Sequence, residues 1–102
     1  MKHFVLMTEQ LTPDEEATLL AGLIQANGMA WAHYLPGSWL LADPERRQNV
    51  EAIHENLKRL FPNKRWIVLR VQAEGWATRL KESEVRAQSE WFKEYRWAPK
   101  TE

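Results

Sequence analysis

Three histidines, two aspartates and no cysteine are the stock from which this 102-residue chain would have to build acid–base, nucleophilic or metal-dependent chemistry. Without cysteine there is no thiolate nucleophile and no cysteine-based zinc site. His3, His33 and His54 show neither HxH nor HxxxH spacing, so they do not read as a ligand set on one strand or helix face. Asp14 falls in the first turn of an expected helix and Asp43 reads as a helix N-cap, so both aspartates have structural work. Only four glycines are present, and no phosphate loop, nucleophile elbow or kinase signature appears among them. No catalytic residue, metal ligand or cofactor is therefore assigned. Glu9 and His33 remain the two weak catalytic candidates.

The residues better suited to binding are aromatic and basic. Six tryptophans, at 31, 39, 66, 76, 91 and 97, exceed what a small interior readily hides, and tryptophan gathers in cores, at interfaces and on base-stacking platforms. The densest stretch is Trp31-Ala32-His33-Tyr34-Leu35-Pro36-Gly37-Ser38-Trp39, where an imidazole sits among rings beside a tight turn. It reads either as a pocket rim or as a hairpin packed by its own rings, with His33 bonded locally or facing solvent. Lys64-Arg65-Trp66 could contact phosphates while the ring stacks on a base, or could simply be the basic end of a helix meeting its dipole. Trp91 and Phe92, near the C-terminus, read as the aromatic face of a docking helix.

Those side chains need a scaffold, and the bulk numbers bound it. A chain of this length forms one domain, expected to span 1–102, whose marginal core would gain from pairing with a second copy. Lys plus Arg and Asp plus Glu are 14 each, so there is no global basic surplus for non-specific phosphate binding. The opening apolar run is too short for a signal peptide and no stretch reaches transmembrane length, which places the expected home in the cytoplasm, away from membranes.

Local signals order the elements. Residues 3–7 are apolar and read as a first strand. Thr12-Pro13-Asp14-Glu15 is a full helix start, and Ala17, Leu20, Leu23 and Ile24 continue at helical spacing to Asn27-Gly28. Residues 29–34 and 39–42 form a hairpin, and Asp43-Pro44-Glu45 predicts a second helix whose stripe is Val50, Ile53, Leu57, Leu60 and Phe61. Residues 65–72 alternate as a strand with Ile67, Leu69 and Val71 facing the core and Trp66 and Val68 on the far side. A final helix is expected within 76–97. The order predicts an α+β, ferredoxin-like βαββαβ sandwich, core 3–72, with an antiparallel sheet, two helices on one face and a C-terminal helical extension.

The hairpin segment from Gly28 to Asp43, with its Ser-Trp-Leu strand followed by a capped helix, resembles SinR-like small bacterial proteins whose fold is like the CRISPR adaptation nuclease subunit. The resemblance covers roughly residues 3–72. It implies a homodimer paired through its sheets and possible action on nucleic acid. The acidic residue that the nucleases carry at the end of the first strand is replaced here by Met7-Thr8-Glu9. The expected function is a non-enzymatic homodimeric binding module, regulatory or associated with mobile elements, binding through Trp31, His33, Trp39, Lys64, Arg65, Trp66, Trp91 and Phe92. Two alternatives stay open: a metal-dependent ribonuclease or nucleic-acid binder using Glu9, His33 and Lys64-Arg65-Trp66, and a small apolar ligand held between the sheet and the C-terminal helix.

Overall fold

A computed structural model describes residues 1–72 and 79–97. The elements run β1 (Lys2–Thr8), α1 (Pro13–Leu19), β2 (Ala30–Leu35), β3 (Ser38–Asp43), α2 (Val50–Leu60), β4 (Trp66–Val71) and α3 (Glu82–Glu94). The fold is α+β: one four-stranded sheet in the order β2-β3-β1-β4, with every neighbouring pair antiparallel. β1 lies at the centre, between β3 and β4, so each helix-bearing crossover steps over one strand.

Helix α1 starts as its sequence predicts. Thr12 and Glu15 close a capping box, with Thr12 N–H donating to Glu15 Oε1 at 2.9 Å and Glu15 N–H donating to Thr12 Oγ1 at 3.2 Å. The expected uniform helix instead widens into a π-turn at Leu20–Ile24 and tightens at Gln25–Asn27 before Gly28, at φ 67°, ends it. The wide turn carries both Leu23 and Ile24 inward, and Gly22 lets the segment press on α2, since a Cβ there would lie 3.0 Å from a Leu60 methyl.

The second helix corrects an expectation. Asp43 is not its N-cap: it ends β3 paired with Lys2, and its buried carboxylate accepts the Gln48 N–H at 2.7 Å, closing an intervening turn. Asn49 is the cap, its side chain accepting the Ala52 N–H at 2.7 Å. An Asp-Pro pair opens turns as readily as helices, which is why the local grammar pointed six residues early.

Phe4, Leu6, Trp39 and Leu41 from the sheet meet Leu19, Leu23, Ile24, Ile53 and Leu57 from the helices, all at 0–1% exposure. Burying each of these side chains is worth roughly 1.5–3 kcal/mol. Strand β4 enters this core with the opposite face from that expected. Its register sets Leu6 opposite Val68 and Thr8 opposite Trp66, so Trp66 and Val68 pack on the helix side while Ile67 and Leu69 are 57% and 46% exposed. Both faces of β4 carry apolar residues, so alternation alone does not choose between them.

The face opposite α1 and α2 is partly covered by α3. Phe92 and Gln88 are buried at 2% and 1%, and Trp97 just beyond the helix at 8%, while Val85 is 41% exposed. His3 fastens this end of the chain: its Nε2–H donates to the Tyr95 carbonyl at 2.7 Å and its ring meets Trp97 edge-on at 4.6 Å. The start of the expected extension, with Trp76, lies outside the described residues. Among the described residues no helix is long and apolar enough to cross a membrane.

Candidate functional site

The predicted basic group and Glu9 come together where β1 ends and β4 begins. Thr8 N–H donates to Gly37 O at 2.8 Å, docking the β2–β3 turn on the end of β1, and a Cβ on Gly37 would stand 2.9 Å from the Thr8 carbonyl. The chain then crosses to β4: Glu9 N–H donates to Arg65 O at 3.1 Å, and Arg65 N–H returns a bond to Glu9 Oε2 at 3.3 Å. The Arg65 Nε–H also binds Glu9 Oε1. These bonds, the side-chain one foremost and the backbone one next, hold the Glu9 carboxyl below the usual glutamate range. An anionic carboxylate with both oxygens engaged is a brace, poorly suited to accept a proton as a general base.

Arg65 is thereby oriented. Glu9 holds its Nε, and among the described residues its terminal nitrogens have no partner, with the side chain 90% exposed. A guanidinium braced from behind presents its outer fork to a planar anion. Lys64 is less available, its Nζ lying 3.6 Å from Glu15 Oε2. Glu15 is held below its usual value first by the Thr12 backbone N–H and also by Lys64.

His54 completes the site. The sequence places it on α2 with nothing to mark a partner; the fold brings it to Trp66, whose Nε1–H donates to His54 Nδ1 at 3.2 Å with ring centres 5.7 Å apart. Accepting that bond requires neutral imidazole and leaves its proton on Nε2. Trp66, His54, Lys64 and Arg65, with Met7 and Ile67, line an open cavity of about 680 Å³. Its apolar floor and cationic margin suit an anion attached to an apolar or planar body. Among the described residues that line it, none is a nucleophile paired with a base.

His33 is elsewhere. Its Nδ1–H donates to Ser38 O at 2.9 Å, its ring stacks on Trp39 at 3.7 Å and 6°, and its Nε2 lies 3.5 Å from Glu16 Oε2. No contact joins it to Glu9, so the two weak catalytic candidates do not form one centre. Trp39, expected on the binding surface, is 1% exposed, a core residue beneath the His33 ring. Among the described residues no three of His, Cys, Asp and Glu are placed to hold a metal ion.

Trp31 and Trp91 line a second groove of about 350 Å³ with Met29 and Tyr95, at the flank of α3. Phe92 fills the space between α3 and the sheet. Burial and the nearby Glu84 carboxylate push the Tyr34 hydroxyl pKa up, as expected where α3 closes over the hairpin. Each histidine thus contacts a different tryptophan: His3 with Trp97, His33 with Trp39 and His54 with Trp66. No family model, curated protein or solved structure matches the chain.

Proposed function

We propose that this chain is a non-enzymatic binding module that works as a homodimer in a cytoplasmic setting, built on a ferredoxin-like sandwich extended by α3. The βαββαβ order and the sheet order β2-β3-β1-β4 support the fold reading. The observation that carries the function is the bare part of the sheet: α3 seals the region of His3, while Ile67 and Leu69 stand exposed beside Met7 and Val5 on the neighbouring strand. Paired large apolar residues on a sheet surface mark a place of association. Light scattering across micromolar concentrations is expected to give twice the chain mass, and Ile67→Lys the single-chain mass with an unchanged circular dichroism spectrum. A single-chain mass for the unaltered protein overturns the homodimer.

A second reading is nucleic-acid binding at Lys64, Arg65 and Trp66, favoured by the braced, outward-facing Arg65 fork. It predicts low-salt binding of single-stranded RNA or DNA that weakens as salt rises and falls severalfold in Arg65→Ala. No binding at low ionic strength removes it.

A further inference from the structure

Strand β4 is the last in the sheet, so its outer edge has no partner strand among the described residues. Its sequence, Trp66-Ile67-Val68-Leu69-Arg70-Val71, contains no proline, no acidic residue and a single cation. Natural edges are usually blunted by charge, proline or a bulge; this one shows Ile67 and Leu69 to solvent and offers its backbone groups to another strand.

We propose that β4 pairs antiparallel with β4 of a second copy, in the register centred on Val68, so that two four-stranded sheets run on as one of eight. The proposal rests on the homodimer reading above and specifies its geometry. Directly opposed residues share a face, and a slip of one residue turns the faces over. A two-fold axis normal to the sheet keeps both helix layers on one side, which leaves registers centred on a residue rather than between two.

Three such registers keep β4 largely paired. Centred on Ile67, the strand would set Arg70 against the partner's Lys64, cation against cation. Centred on Leu69, it would set Arg70 against the partner's Val68 and Trp66 against the partner's Gln72, beyond the strand. Centred on Val68, it sets Ile67 against the partner's Leu69 on the bare face and Trp66 against the partner's Arg70 on the helix face. Symmetry makes each pair twice. Arg70 is exposed and, among the described residues, has no ion-pair partner, so its guanidinium is free to lie over the indole. By strand alternation Arg65, just before β4, falls on the opposite face from Arg70, so these two cations do not meet.

The chain contains no cysteine, so a single introduced thiol can bridge only to another copy. In Val68→Cys the two thiols face each other across the axis, whereas in Val71→Cys each faces the partner's Arg65. Mild oxidation of the full-length variants is read on non-reducing gels beside light scattering of the unaltered chain. A dimer with efficient bridging at 68 and none at 71 is expected. In addition, Arg70→Glu is expected to weaken dimerisation about tenfold through loss of two cation–ring contacts. A dimer that fails to bridge at 68 overturns this register and leaves the homodimer standing, its sheets joined another way. A single-chain mass with no bridging at either position overturns both.

Discussion

The two faces of the sheet are finished to different standards. On the α1–α2 side, Phe4, Leu6, Trp39 and Leu41 are closed over completely by Leu23, Ile53 and Leu57. On the other side, α3 seals the region of His3 with Phe92 and Trp97 and leaves Ile67 and Leu69 in water. The first face is what holds one chain folded; the second divides into a fastened part and an open part. In the proposed homodimer, stability and association fall to separate sets of apolar residues, and on β4 the exposed Ile67 and Leu69 alternate with Trp66 and Val68, which pack on the core.

The sharpest way to break that division is a matched pair of truncations. Leu57→Ala, in the closed core, is expected to cost about 2–5 kcal/mol by chemical denaturation. Leu69→Ala, measured at concentrations where the protein is a single chain, is expected to cost about 0.5 kcal/mol or less. Comparable losses would mean that the bare strip belongs to the monomer's own core. An intermediate case is Phe92→Ala, expected to remove about 3 kcal/mol of hydrogen-exchange protection from α3 while the β1 and β4 amides keep theirs. Uniform loss of protection would instead make α3 part of one cooperative unit with the sheet.

The smallest effect is electrostatic and lies at the junction of β1 and β4. Glu9 and Glu15 titrate below their unfolded values, so their contribution to stability is present above about pH 4.3 and is lost as pH falls through the depressed folded values. The urea midpoint is expected to decline between pH 5 and 3. Glu9→Gln should lower it at pH 7 and make the decline shallower, because the variant has no Arg65-bound carboxylate left to protonate. An unchanged pH slope would show that the brace contributes nothing in solution.

What the sequence made legible was local. The Thr12-Pro13-Asp14-Glu15 cap and the Gly28 stop act through bonds between near neighbours, and both stand in the structure. The hairpin was readable from its turn residues for the same reason. The true start of α2 was hidden because Asp43 is engaged by Gln48, so the pair that resembles a helix start serves a turn. The inward face of β4 was hidden because Trp66-Val68 and Ile67-Leu69 are both apolar, and only the pairing with β1 decides between them. At the candidate site, Lys64-Arg65-Trp66 was visible as a group and Glu9 as a possibility. Their joining, and the arrival of His54, depend on contacts across the fold.

The pairing of every histidine with its own tryptophan makes the chain its own optical instrument. An imidazole lying against an indole alters that indole's emission, so each pair sets the signal of a different ring: Trp97 at the seal of α3, Trp39 inside the hairpin, Trp66 at the open cavity. Replacing tryptophans one at a time by phenylalanine would separate three signals placed at the three regions whose behaviour differs. Undocking of the tail, loosening of the core and occupation of the cavity could then be followed in the same cuvette, without attaching a dye.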